Sequence, residues 1–159
     1  MGSDEMLVAG TIATWKAMLS RADKLFTALD VAALEEQVAP GRNRLIYLWG
    51  HLSATHDRMI ELLGVGERVH PEFDAIFLSA PDRSMGLPSI EVIRAWWAKV
   101  STRLNDGITK FSVSDWLARH TAVSEEDFAK EPLRNRLSIL LTRTNHLSYH
   151  IGQTSLARK

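Results

Sequence analysis

Four long stretches of the sequence repeat apolar residues at the spacing of an amphipathic α-helix, and no stretch alternates like a β-strand. They span about residues 4–29, 43–63, 89–108 and 133–156. Ser89 is suited to cap the third helix, and Gly64 to end the second. Helices with one apolar face bury that face against each other. The sequence therefore predicts an all-α, antiparallel four-helix bundle that forms one domain over residues 1–159.

The connection between the second and third predicted helices is unusually long. It covers Val65–Pro88 and contains three prolines, which disfavour continuous helix. Connections of this length are uncommon in compact domains and often have a function. We expect Phe73, Ile76 and Phe77 to attach this segment to the helices, and short elements to form at Ser112–Ala118 and Ser124–Lys130.

Charge and residue usage exclude several classes of function. The chain has 19 basic and 19 acidic residues, so no net charge favours nucleic acid or an anionic membrane. No apolar run approaches the roughly 20 residues of a membrane-spanning helix. The first residues are acidic, unlike a signal peptide, and cysteine is absent. We expect a cytoplasmic protein without a cysteine nucleophile.

The histidines point to a metal site. His146 and His150 are four residues apart on the fourth predicted helix, so both imidazoles can reach one ion. A third ligand must come from another helix, and the second helix offers His51 and His56. Periodicity places His56 in the core and His51 at the edge, beside a groove under Val65–Pro88. Spacing alone leaves both histidines open as the third ligand.

Two motifs carry a resemblance to a known family. Gly50-His51-Leu52 is followed much later by Asn145-His146-Leu147-Ser148-Tyr149-His150-Ile151-Gly152-Gln153, and this combination resembles the DinB-like superfamily. The resemblance extends over nearly the whole chain and implies a four-helix bundle, often dimeric. It also implies that His51, His146 and His150 hold a divalent metal ion, which we expect to be zinc or nickel.

The resemblance further implies a metal-dependent enzyme of the thiol transferase type that acts on a small molecule. The chemistry of a three-histidine metal site, which can also activate water, leaves a hydrolase type equally open. A low-molecular-weight thiol would have to come from outside, because the chain has no cysteine. The alternative is a non-catalytic metal- or ligand-binding protein that acts as a dimer. We expect a homodimer, since Trp96 lies outside the apolar stripe of its helix and a partner subunit or a pocket wall would bury it.

Further residues are candidates for the surroundings of the metal. We expect Gln153 to hydrogen-bond a ligating imidazole, with Tyr149 as a weaker candidate. His56 would line the pocket or bond within the core. Asp57 is a candidate carboxylate near the site, on a helix face that we expect to be solvated. Arginines at 58, 136 and 143 are candidates for binding a substrate carboxylate, with surface solubility as the alternative.

Overall fold

The computed structural model describes residues 2–157, and this range contains helices and no β-strand. The all-α prediction is therefore confirmed for the described residues. In chain order the helices are α1 (Ser3–Thr27), α2 (Val31–Leu34), α3 (Leu45–Leu63), α4 (Ile90–Ile108), α5 (Val113–Leu117), α6 (Glu125–Lys130) and α7 (Arg136–Ala157). A 3₁₀ turn at Pro71–Phe73 and a π-helical turn at Ala75–Ser79 lie between α3 and α4. No described helix is both long and apolar enough to cross a bilayer.

Most helix ends follow local sequence signals. Gly64 ends α3 in the left-handed region at φ 72°, which only glycine adopts without strain. The hydroxyl groups of Ser89 and Ser124 accept hydrogen bonds from the first turns of α4 and α6. At α1, which begins after Gly2, the backbone N–H of Gly2 donates to the carboxylate of Glu5.

The four long helices pack in pairs. α1 lies against α7, and α3 lies against both α7 and α4. α3 is the central element, because fifteen of its 19 residues are buried. A helix enclosed in this way holds its side chains in fixed positions, and α3 carries two of the candidate ligands.

The long connection of residues 65–88, called the crossover below, is tied to α3 at several points. The Tyr47 hydroxyl donates to the carbonyl oxygen of Ala80 at 2.6 Å. The Arg44 guanidinium and backbone N–H both bond the Asp82 carboxylate, at distances down to 2.7 Å. Phe77 is fully buried against α3. The expectation that Phe77 attaches this segment to the helices agrees with the structure.

Asp57 holds the start of the crossover in place. The expectation that its side chain lies on a solvated face of the helix was wrong. Its side chain is fully buried. One carboxylate oxygen accepts the N–H of Val69 at 2.7 Å, and the other accepts the N–H of His70 at 3.0 Å. The guanidinium Nε of Arg68 lies 3.5 Å away. Asp57 therefore acts as a structural cap for the start of the crossover.

Trp96 is covered by the crossover rather than by a partner subunit. It is 1% exposed, and its own chain covers it. Phe73, Phe77 and His70 of the crossover contact its ring at centroid distances of 5.1 to 5.9 Å. Trp96 is thus buried by the crossover, and the argument for a dimer that rested on it no longer holds.

Candidate metal centre

Three histidine side chains from two helices converge at one point between α3 and α7. The Nε2 atom of His146 lies 3.1 Å from Nε2 of His51 and 3.1 Å from Nε2 of His150. One ligand atom of each residue lies within 4.8 Å of the other two. The structure thus brings together the three histidines that the family resemblance singled out.

The helix geometry explains this convergence. His146 and His150 stack on one face of α7 because they are four residues apart. His51 comes from the edge of α3 that meets α7, and it is only partly buried. His150 is nearly buried, whereas His51 and His146 are only partly buried, so the cluster lies at the border between core and surface. A side of the cluster therefore remains close to solvent.

Two of the three rings are oriented by a partner on the opposite ring nitrogen. Nδ1 of His51 lies 2.8 Å from the carbonyl oxygen of Phe77, which can only accept a hydrogen bond. Nδ1 of His150 lies 2.8 Å from Oε1 of Gln153, whose amide nitrogen donates to the Tyr149 hydroxyl. These bonds put the proton on Nδ1 and leave the Nε2 lone pair free in both rings.

Burial keeps the three imidazoles neutral. It lowers the pKa of His51 below its ordinary 6.5, although the bond to Phe77 works in the opposite direction. Burial, together with the neighbouring His150, His51 and Arg143, lowers the pKa of His146 to about 4. The pKa of His150 is also lowered, mainly by burial. Neutral imidazoles are the form that binds metal ions.

The donor set fits a divalent cation. A proton on Nε2 of His146 can be donated to only one of its two neighbours, which leaves the other Nε2 lone pair, 3.1 Å away, without a donor. Without that proton, both 3.1 Å contacts bring two lone pairs together. A cation among the three nitrogens removes this repulsion. No carboxylate joins the group in the part of the chain that the structure describes. Three protein ligands leave a position for an exogenous ligand, as catalytic sites do.

His56 lies outside the cluster. It is fully buried on the core side of α3, and its ring contacts Trp15 and Trp97 at centroid distances of 5.0 and 5.1 Å. Neither ring nitrogen has a hydrogen-bond partner within residues 2–157. Burial is the main reason that its pKa falls to about 3. The core position predicted from periodicity is therefore correct for His56.

A surface cavity of about 590 Å³ adjoins the cluster at His150. This size suits a small-molecule site. Two larger grooves lie elsewhere on the surface, but neither contains any of the three histidines. The sequence placed the groove under the crossover, but no crossover residue lines this cavity. Its lining residues are Val38, Ala39, Arg42, Asn43, Leu48, Tyr149, His150, Gln153 and Leu156.

Of the two groups that orient the ligand rings, the sequence predicted Gln153 but gave no sign of the backbone carbonyl of Phe77. Gln153 bonds His150 as expected, and Tyr149 supports it through the Gln153 amide. The Phe77 carbonyl belongs to a residue 26 positions from His51, so no local pattern indicates it. The one available signal was the length of the crossover, which marked the segment without identifying the atom.

Comparison with known families agrees with this geometry. A search of the curated proteins finds no match. A family model described as the DinB superfamily matches residues 14–154, which include all three clustered histidines. Because the match covers most of the chain, this protein belongs to the DinB superfamily.

Proposed function

We propose that this protein is a metal-dependent enzyme in which His51, His146 and His150 hold a divalent ion, zinc or nickel. The observation that carries the proposal is the convergence of three neutral imidazoles, two of which have their opposite nitrogen bonded. An ion held by neutral ligands keeps its full charge and lowers the pKa of a bound water or thiol. The reaction is of the thiol transferase or hydrolase type.

The residues around the cluster favour a thiol over water as the nucleophile. Hydrolysis by a metal site is commonly assisted by a nearby carboxylate that acts as a general base. Asp57, the carboxylate candidate from the sequence, is occupied by two backbone N–H groups and by Arg68. A free thiol is already far more acidic than water, so it needs such a base less, and the chain itself supplies no cysteine. The thiol is therefore a substrate or cosubstrate.

The proposal also includes the arrangement of the long helices, the cellular compartment and the size of the substrate. The pairing of α1 with α7 and of α3 with α7 and α4 supports an antiparallel four-helix bundle. The absence of cysteine fits a reducing, cytoplasmic environment. The cavity beside His150 supports a small-molecule substrate.

Metal stoichiometry of single alanine variants tests the ligand set. We expect His51→Ala, His146→Ala and His150→Ala each to lose most of the bound metal, because two imidazoles hold an ion poorly. His56→Ala is the matched control, since His56 is on the same helix but outside the cluster. Loss of metal from His56→Ala with full retention in His51→Ala would contradict the proposed ligands.

Cobalt substitution separates an enzyme-like site from a structural one. We expect the visible spectrum of the cobalt protein to change when excess thiol or azide is added, because an open position binds it directly. A spectrum that stays fixed, with the metal bound, would support the non-catalytic alternative.

A further inference from the structure

We propose that Arg143, assisted by Arg58, forms an anion-binding position beside the three histidines, so that the preferred small-molecule thiol carries a negatively charged group. This inference rests on the proposed metal site and adds the substrate class to it. Neither arginine takes part in holding the metal. Their role would be to bind the anionic end of the substrate while its thiol faces the histidines.

The helical register places both arginines on the faces that carry the ligands. Arg143 precedes His146 by three residues and His150 by seven on α7, which puts all three on one face. Arg58 follows His51 by seven residues, and this spacing returns to the same face of α3. The ligand-bearing faces of α3 and α7 meet where His51 contacts His146, so both arginines lie on the two faces that meet at the cluster.

Electrostatic effects agree with this placement. The charge of Arg143 contributes to the lowered pKa values of His51 and His146. Burial, with the nearby charge of Arg58 as a second cause, lowers the pKa of Arg143 itself. The charges of the two guanidinium groups thus act on each other and on the cluster, and a divalent ion would add further positive charge.

Arg143 has no counter-ion of its own. Its side chain is partly buried, yet among the described residues it has no hydrogen bond, ion pair or aromatic ring as a partner. A partly buried and unpaired cation is costly, so an external anion would be favoured there.

The carboxylates of Asp57 and Asp74 already have partners other than Arg143. Asp74 pairs with Arg68 and also lies 4.0 Å from Nε of Arg58, so Arg143 is the arginine of the two that has no carboxylate partner among the described residues. Asp57 is buried against backbone N–H groups and Arg68. No carboxylate of the described chain therefore neutralises Arg143.

The chemistry of the guanidinium group indicates what it would bind. Its planar donors match the two oxygens of a carboxylate, and this pairing is stronger than a neutral hydrogen bond. Combined with the histidine cluster, Arg143 defines a site for a small thiol that also carries a carboxylate. An uncharged thiol would use only the metal.

The test compares two thiols on the cobalt-loaded protein. Mercaptoacetate carries a carboxylate, whereas mercaptoethanol carries a hydroxyl group at the same end. Their Kd values are measured from the visible spectrum, with metal stoichiometry measured in parallel. We expect the wild type to bind mercaptoacetate about tenfold more tightly or better, which is the size of effect of one charge-assisted bond.

We expect Arg143→Gln to lose this preference for mercaptoacetate, while it still holds the metal and still binds mercaptoethanol. Arg143→Lys should keep part of the preference, since it retains the charge without the planar donors. Arg21→Gln is the matched control, because Arg21 is an exposed arginine on α1.

The outcomes distinguish the two proposals. If Arg143→Gln keeps the preference for mercaptoacetate, or if the wild type shows none, the anion position is wrong and the metal site stands. If neither thiol alters the spectrum of the wild type, the proposed function fails, and this inference fails with it.

Discussion

His51 and His56 show how strongly the surroundings determine the role of one residue type. They are five residues apart on α3 and therefore face different directions. Nδ1 of His51 donates to a carbonyl oxygen, and two imidazoles lie near its Nε2, so Nε2 is free to bind a metal ion. The ring of His56 contacts two tryptophans, and neither of its nitrogens has a hydrogen-bond partner in the described range. A buried imidazole without partners favours the neutral form and opposes protonation.

This contrast predicts a specific pH dependence of stability for His56. Its pKa is about 3 in the folded protein, against 6.5 when exposed. Below pH 6.5 the unfolded chain binds a proton at His56 that the folded chain does not, so stability is full above 6.5 and falls with decreasing pH. When the pH falls from about 7 to about 5, His56 should lower the free energy of unfolding by roughly 2 kcal/mol.

The variant His56→Leu isolates this contribution, because leucine fills a similar space and cannot be protonated. Urea unfolding of the metal-free wild type and variant at both pH values is the measurement. Over that interval the wild type should lose about 2 kcal/mol more than His56→Leu. Equal losses would mean that His56 is protonated in the folded state.

At the scale of elements, the contact between α3 and the π-helical turn positions one of the candidate ligands. Gly50 lies beside the buried ring of Phe77, and a Cβ atom at Gly50 would come within 2.1 Å of Cε1 of Phe77. The ring therefore packs directly on the backbone of α3. This contact brings the carbonyl oxygen of Phe77 to within 2.8 Å of Nδ1 of His51.

Gly50→Ala should consequently damage both stability and metal binding. Alanine favours a helix more than glycine does, but here it would push Phe77 and its carbonyl away from His51. We expect a loss of about 1–3 kcal/mol in the free energy of unfolding, and weaker metal binding in a chelator competition. Gly10→Ala on α1 is the matched control, since nothing lies within 4 Å of its added methyl group. A Gly50→Ala protein as stable as Gly10→Ala would contradict this.

The elements also show what the sequence can predict. Helix ends depend on neighbouring residues, so Ser89 and Gly64 marked the start of α4 and the end of α3 correctly. Asp57 was misplaced, and the segment that covers Trp96 was left open, because the crossover buries both and lies outside their own helices. The spacing of His146 and His150 is local and indicated a metal site. Spacing left His51 and His56 open, and the family motif was needed to choose between them.

At the scale of the whole molecule, the oligomeric state stays a prediction. Trp96 no longer supports a dimer, since its own chain buries it. Apolar side chains on α7 are exposed instead: Leu141, Tyr149 and Leu156, the last at 79%. Their spacing places them on one side of the helix. Tyr149 and Leu156 also line the cavity beside His150, so a partner on this face would enclose that cavity.

We expect a homodimer that forms through this face of α7, because a partner would remove exposed apolar surface from water. Light scattering across micromolar concentrations should give twice the mass of the chain, and Leu156→Glu should give a monomer. Val92→Glu introduces the same charge at an exposed position on α4 and should leave the dimer intact. A monomer mass for the wild type at all concentrations would exclude the dimer.

The hydrogen bond from His51 to the Phe77 carbonyl has a consequence for how the molecule responds to metal. It joins a candidate ligand to the crossover, which Asp57 and Asp82 fix at its two ends. If metal binding tightens this bond, linkage requires that holding the crossover in place strengthens metal binding by the same free energy. Metal affinity would then depend on two carboxylates that never touch the ion. Substitutions in the crossover could then change the affinity for metal although no metal ligand is altered.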